Sequence, residues 1–402
     1  MSQQGAILVA NIGSTSFKFR LFEMPAERLK ARGGVERIGA AESPWSLQIG
    51  DGEKIEGSGV FPDYGAAVAF FQEKLVAGGA LESFEQLTAF GFKPVMARDV
   101  SGTQIMDESV LAAMEAFSPV FPAHNPPYIN AVRKFRERFP SIPCIGLFET
   151  AFYDQVPAFN RRFGIPLQWE TEYGVRRYGF HGASHRFVTS RLAEITGKDD
   201  LRIISCHLGG SSSIACVRNG VAIDSSWGMT AQSGLPQNNR VGDFDVFALL
   251  YVMKEFGVSV DEATTALSKN GGLQGMSGLH SGDLRDLSKA ATAGNKNAET
   301  AIEVYVASIR KYIGQFLVEM NGADAIVFTA GIGENGAPLR ADICAELDFC
   351  GLELDLEKNA MTGASETKIS TAGSAIEVWV IPTNEEIVVA RSAWKKLQEL
   401  GR

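Results

Sequence analysis

Residues 6–22 read Ala-Ile-Leu-Val-Ala-Asn-Ile-Gly-Ser-Thr-Ser-Phe-Lys-Phe-Arg-Leu-Phe. A short apolar run ends in the polar stretch Asn11 to Ser16, and residues 17–22 then alternate in polarity. The pattern predicts strand, tight turn, strand, which is a β-hairpin. The same pattern returns near the middle of the chain. Residues 201–206 form a largely apolar run, His207-Leu-Gly-Gly-Ser-Ser-Ser213 is a turn rich in Gly and Ser, and residues 214–217 form a further apolar run. Arg218-Asn219-Gly220 then predicts a second turn before residues 221–223. Two such hairpins point to a duplicated α/β unit.

A third glycine turn, residues 330–335, follows the apolar run 325–328. Residues 66–75, 128–139, 187–195 and 299–320 carry the apolar spacing of helices. Strands alternating with helices predict an α/β architecture. At roughly 150 residues per domain, 402 residues allow two or three domains. The expected division is an N-terminal α/β domain at 1–151, completed by a returning C-terminal helix at 386–402. A second α/β domain at 152–385 would carry the nucleotide motifs.

Composition narrows the function. Hydrophobic residues make up 45% and charged residues 21%, as in ordinary globular chains. The net charge of −9 argues against a general nucleic-acid binder, which needs clustered Lys and Arg. The five cysteines, Cys144, Cys206, Cys216, Cys344 and Cys350, form no CxxC pair. They read as reduced, buried thiols of a cytoplasmic protein. The start of the chain lacks the features of a signal peptide, and no window approaches the ~18 apolar residues of a membrane span.

Glycine-rich turns between strands suit phosphate. Gly lets the backbone come close and adopt positive φ, and Ser adds hydroxyl donors. Two such turns from duplicated domains, facing each other across a cleft, would hold one nucleotide.

Five motifs in order give a more specific reading. Asn11-Ile-Gly-Ser-Thr-Ser16 with Lys18, Arg176-Arg-Tyr-Gly-Phe-His-Gly-Ala-Ser-His185 and Ser277-Gly-Leu-His-Ser-Gly-Asp-Leu-Arg-Asp286 resemble signatures of the acetate kinase family. So do Phe328-Thr-Ala-Gly-Ile-Gly-Glu-Asn335 and Pro382-Thr-Asn-Glu-Glu386. The resemblance implies the duplicated α/β fold shared by actin, sugar kinases and heat-shock ATPases. It also implies ATP or ADP and a short-chain carboxylate or acyl phosphate as substrates, Mg²⁺ as cofactor and a homodimer.

It assigns roles by position. His181 and Arg240 would stabilise the transferring phosphoryl group, with Glu149 as the catalytic acid position. Asn11 and Glu385 would hold Mg²⁺. Lys18, Ser14, Ser16 and the loop His207, Leu208, Gly209, Gly210 and Ser211 would meet phosphate. Asp283, Leu284 and Arg285, with Gly331, Ile332, Gly333, Glu334 and Asn335, would hold ribose and adenine. Without the resemblance the same residues have ordinary readings. Glu385 would be a first-turn acid of the last helix, Lys18 an outward-facing strand residue and Arg240 a surface ion-pair partner. A carboxylate acceptor is already ionised at pH 7, so the site needs positive groups and donors rather than a strong base.

The chain departs from the family pattern in three motifs and in the acyl wall. The usual His-Leu-Gly-Asn-Gly loop is His-Leu-Gly-Gly-Ser at 207–211. Phe-Asp-Thr-Ala-Phe-His has become Phe148-Glu-Thr-Ala-Phe-Tyr153, so the acid gains a methylene. His-Arg-Val-Val-His-Gly-Gly has become Phe92-Lys-Pro-Val-Met-Ala-Arg98. Lys93 directly replaces the substrate arginine, and Arg98 is its rival for that role. Lys cannot make the planar two-bond fork of Arg. The wall of the acyl pocket maps to Val95, Ala123, Phe180 and Ala231, and two of its large side chains are alanine here. The resemblance therefore implies an ATP-dependent carboxylate kinase, and the two alanines point either to an acid larger than acetate or to a pocket refilled by neighbouring side chains. The competing readings are an ATPase whose output is conformational, and a nucleotide-binding relative without catalysis.

Overall fold

The structure is a computed structural model that describes residues 4–13, 15–361 and 365–401. Ser14, a phosphate-loop candidate, lies outside the described residues. The chain divides into two compact units, Met1–Asp154 with Asn384–Arg402, and Gln155–Thr383.

The first unit holds eight strands: β1 Gly5–Ile12, β2 Phe17–Met24, β3 Arg28–Val35, β4 Ser43–Ile49, β5 Ile55–Gly59, β6 Leu87–Phe92, β7 Thr103–Ile105 and β8 Cys144–Leu147. Their order is β5-β4-β3-β2-β1-β6-β8-β7. β1 pairs antiparallel with β2, so the opening residues form the expected hairpin, and β1 runs parallel to β6. Strand alternation decides what β2 presents. Phe17, Phe19 and Leu21 are buried in the core, while Lys18 is exposed. Phe17, Phe19, Phe71, Phe90, Phe92 and Phe135 pack ring to ring, as between Phe19 and Phe71 at 4.9 Å. Fully burying such side chains stabilises by about 1.5–3 kcal/mol each. The C-terminal helix Glu385–Glu399 buries Val388, Val389, Trp394 and Leu397 and packs on β1, β2, β6 and β8.

The second unit holds β9 Arg202–Leu208, β10 Ser212–Arg218, β11 Val221–Ser225, β12 Ala325–Thr329, β13 Thr367–Lys368 and β14 Glu377–Val380, in the order β11-β10-β9-β12-β14-β13. The duplication is visible in this order. β3-β2-β1-β6-β8 and β11-β10-β9-β12-β14 have the same succession of antiparallel hairpins followed by parallel strands. Asn219 and Gly220 both have positive φ, 53° and 74°, as a two-residue hairpin turn requires. The helix Lys296–Glu319 buries Ala298, Ala301, Tyr305, Ile309, Ile313 and Phe316 on one face. The four helical spacings read from the sequence fall within Tyr64–Ala77, Asn125–Arg138 (to within one residue), Gly182–Thr196 and Lys296–Glu319 (again to within one residue).

One expectation is corrected. Residues 330–335 are not an open turn but a short helix, Ala330–Asn335. Ala330 itself takes the left-handed bend, at φ 64°, directly after β12, so the two glycines are free to enter the helix.

Candidate active site

The second unit carries the histidine and arginine candidates. His181 stands in the left-handed region, at φ 55°, immediately before helix Gly182–Thr196. Such a conformation costs a non-glycine residue about 1–3 kcal/mol and is concentrated at functional sites. Its ring stacks on His207 at 4.0 Å and 22°, and leans on Trp227 at 4.6 Å. Phe180 is buried edge-on against the same Trp227.

His181 Nδ1 lies 2.8 Å from Ser213 Oγ, which is also 2.8 Å from His185 Nε2. His185 Nδ1 lies 2.8 Å from Ser205 Oγ, and His207 Nδ1 is 2.7 Å from Ser184 Oγ. Burial, and then the nearby His207, push the pKa of His185 well below its ordinary value. His185 is therefore neutral and carries one ring N–H. Its two serine hydroxyls can each donate or accept, so they complete the network whichever nitrogen bears the proton.

The phosphate-loop candidates follow. Leu208 is buried at the end of β9, and Gly209 and Gly210 form the turn. Gly209 N–H donates to Ser212 Oγ at 3.2 Å, and Ser212 Oγ in turn donates to the Gly209 carbonyl at 2.9 Å. Ser211 Oγ accepts from Arg240 Nη1 at 3.3 Å. Arg240 Nη1 also donates to Gln237 Oε1 at 3.1 Å. Among the described residues Arg240 makes no ion pair, and burial lowers its pKa. Ala231 is buried, and its carbonyl accepts from Gln237 Nε2 at 3.1 Å.

The nucleotide-end candidates of this unit sit apart from that cluster in the bonding. Asp283 caps helix Leu284–Thr292 and binds Arg285 at 2.6 and 2.9 Å. The Arg285 guanidinium holds its carboxyl down at about 2. Asn335 Nδ2 donates to the Gly331 carbonyl at 2.8 Å, and Glu334 Oε1 accepts from Thr383 N–H at 3.4 Å. The fully buried Arg340 donates to the carbonyls of Gly333 and Glu334, at 2.7 and 2.9 Å, and so holds the end of this short helix.

The first unit gathers a different set. Lys93 Nζ contacts both Glu149, at 2.5 Å, and Glu385. All three side chains are largely buried. Burial alone would lower the pKa of Lys93, but the two carboxylates outweigh it and hold the ammonium above its ordinary value. Arg98 is exposed, its Nε 3.8 Å from Asp99. The bonding thus places Lys93 between the two candidate carboxylates. Asn11 Nδ2 donates to Glu386 Oε1 at 2.8 Å. Asn384 caps the last helix, so Glu385 and Glu386 open its first turn.

Lys18 is exposed and pairs with Glu36 at 2.8 Å. A groove of about 770 Å³ runs past Asn11, Lys18, Arg20, Arg32, Glu36 and Glu386. The Ser16 carbonyl closes the hairpin by accepting from Gly13 N–H at 2.9 Å. Val95 is half-buried, and Ala123 is exposed just before helix Asn125–Arg138.

Sequence reading missed Gln237, Ser213, His185, Glu386 and Arg340. His185 had a signal, since it lies four residues after His181, in the first turn of the helix that follows it. Gln237 had none.

Comparison with known proteins places the chain. The acetokinase family profile matches residues 6–391. An acetate kinase of Geobacillus sp. (strain WCH70) is 41% identical over 388 residues, covering 96% of this chain and 97% of that one. The crystal structure of Porphyromonas gingivalis acetate kinase superposes with TM-score 0.88 at 36% identity, over 98% of this chain and 100% of the other. A propionate kinase from Francisella tularensis subsp. tularensis SCHU S4 superposes with TM-score 0.87 at 31% identity, over 96% and 98%. The duplicated fold and these matches define a phosphotransferase with a carboxyl group as acceptor. Within that class, the chain belongs to the acetokinase family.

Proposed function

We propose that the chain transfers the γ-phosphoryl group of ATP directly, in line and reversibly, to the carboxylate of a short organic acid, giving ADP and an acyl phosphate. The setting of Arg240 is what supports this reading most. A partly buried guanidinium, held by two neutral oxygens next to a glycine turn, is a cation awaiting an anion. Phosphoryl transfer consists mostly of positioning and charge stabilisation, and an ionised acid needs no general base. His181 and Arg240 stabilise the transferring group. His207 to Ser211, with Lys18, Ser14 and Ser16, meet phosphate. Asp283 to Arg285 and Gly331 to Asn335 meet the nucleoside.

For Mg²⁺ the candidates are Asn11 and Glu385. The donor chemistry fits. Asn11 spends its N–H₂ on Glu386, which leaves its carbonyl oxygen for a ligand, and Glu385 already engages a cation in Lys93. No cluster of three or more acidic, His or Cys side chains that could hold a metal occurs among the described residues. The ion would therefore come with nucleotide phosphates and water, as Mg²⁺ commonly does. It would supply charge neutralisation. Two carboxylates share the one ammonium of Lys93, which would face the substrate carboxylate, with Glu149 keeping it in place.

The acid is proposed to be larger than acetate, because Ala123 and Ala231 are small where the family pattern is large. One methylene in an apolar pocket is worth about 1–3 kcal/mol in kcat/KM. A homodimer is also proposed. The helix Val246–Phe256 buries none of its residues within the chain, and Phe247 and Phe256 are 74% and 69% exposed. An apolar surface of that kind fits a second copy of the chain. The five free cysteines accord with a cytoplasmic setting. Incubation with ATP, Mg²⁺, hydroxylamine and acids of two to five carbons tests the activity. Acyl hydroxamate should form, and should form faster with acids longer than acetate. Nucleotide binding without any hydroxamate would show a relative that has lost catalysis.

A further inference from the structure

Gln237 lies in the segment between Ala231 and Arg240 and is almost wholly buried. Both ends of its amide are engaged. Oε1 accepts from Ser211 Oγ at 2.9 Å and from Arg240 Nη1 at 3.1 Å, and Nε2 donates to the Ala231 carbonyl at 3.1 Å. Its backbone N–H donates to the Arg240 carbonyl at 3.0 Å, and its carbonyl accepts from Leu273 N–H at 2.8 Å. The segment is also gripped from outside. A Cβ on Gly272, at φ 58°, would stand 2.1 Å from the Gln237 carbonyl and 2.6 Å from that of Arg240. One on Gly282 would stand 1.9 Å from the Asn238 carbonyl. Two glycines therefore let neighbouring backbone press directly on residues 237–240, and the loop has little room to shift.

We infer that Gln237 is a positioning residue that aims Arg240 with a neutral acceptor, so that the guanidinium keeps its whole charge for the transferring phosphoryl group. A buried arginine is usually held by a carboxylate, which fixes its direction but cancels its charge. An amide oxygen fixes direction without cancelling charge. Preorganised, uncompensated charge is what stabilises a transition state most in a partly desolvated site. The same side chain ties the phosphate-loop residue Ser211 and the acyl-wall residue Ala231 to Arg240. The inference rests on the proposed role of Arg240.

Three variants test it, assayed with ATP, Mg²⁺ and the best acid: Gln237→Glu, Gln237→Met and Arg240→Ala. Gln237→Glu keeps the shape but adds a negative charge. It should lower kcat about 100-fold with KM for ATP near the parent value. Its activity should recover as pH falls and the new carboxyl protonates. Gln237→Met removes the acceptor at nearly constant length and should lower kcat about tenfold, because orientation is lost. Parental kcat in both Gln237 variants, beside a collapsed Arg240→Ala, overturns the inference. A rise in KM for ATP in proportion to the fall in kcat overturns it too, since that is what general loosening does. Parental kcat in Arg240→Ala instead overturns the role of Arg240. If thermal melting shows Gln237→Glu unfolded, Gln237→Met decides, and parental kcat there is the negative result.

Discussion

The two units hold their candidate residues in opposite electrostatic states. In the first unit the charges are paired: Lys93 with Glu149 and Glu385, Lys18 with Glu36, and Arg20 within 3.6 Å of Glu386. In the second, the exposed Asp283–Arg285 pair apart, neutral groups surround a cation. His185 is held neutral by burial, serines bridge the imidazoles, and Arg240 rests on a hydroxyl and an amide. On the proposed reading, the paired side exchanges partners when an ion or substrate binds, whereas the neutral side serves charge that develops during reaction.

The sharpest way to break this contrast is on the neutral side. Arg240→Ala and His181→Ala should each lower kcat by about 10²–10³ while nucleotide binding persists. Full kcat in either variant, measured by hydroxamate formation, would remove that residue from the transition state.

On the paired side the first effect is on stability. Lys93→Met removes the ammonium that Glu149 and Glu385 share, and should cost about 3 kcal/mol, read as a lower Tm near neutral pH. An unchanged Tm would mean that the triad is not formed in solution. A cycle of Lys93→Arg and Glu149→Asp should show coupling of at least about 0.5 kcal/mol in kcat/KM. Additive effects would show that the longer acid does not compensate for the shorter-reaching cation.

Selectivity sharpens the comparison next. Ala123→Leu, in the first unit, should move the preference from four-carbon acids back toward acetate by about 10-fold or more. No change in the ratio of kcat/KM values would place the acyl chain elsewhere.

Protonation gives a smaller effect in the second unit. Burial, then Glu319, raises the pKa of Asp224 above its ordinary value. A carboxyl with a raised folded-state pKa stabilises at low pH, and that contribution is lost as pH rises from about 4 through the folded pKa. Asp224→Asn should therefore flatten the fall in Tm between pH 4 and pH 8. An equal fall in the variant would assign it to another group. Lys18→Ala should be the mildest. Its exposed pair with Glu36 contributes at most about 1 kcal/mol, so Tm should hold. Any role at phosphate should appear only as a higher KM for ATP.

Much of the fold was legible because strand and helix patterns are local. Phe17, Phe19 and Leu21 alternate with Lys18 and Arg20, and the repeat of that hairpin at residues 202–218 foretold the second sheet. The turn at 330–335 was misread because glycines signal turns, and nothing local shows that Ala330 takes the bend. The exposed helix Val246–Phe256 reads like a core element, since its sequence is apolar whether it is covered by its own chain or by another.

The sequence by itself determined the duplicated α/β plan, the family and the order of its motifs, because periodicity and motif spacing are written along one chain. It left Lys93 and Arg98 as rivals. Only the tertiary structure set Lys93 between Glu149 and Glu385, which are 236 residues apart in numbering, 385 minus 149. It alone brought Gln237 to Arg240 and Ser211. Charge compensation depends on distances of a few ångströms between residues far apart in sequence, because Coulomb energy and hydrogen bonds fall off in space and not along the chain.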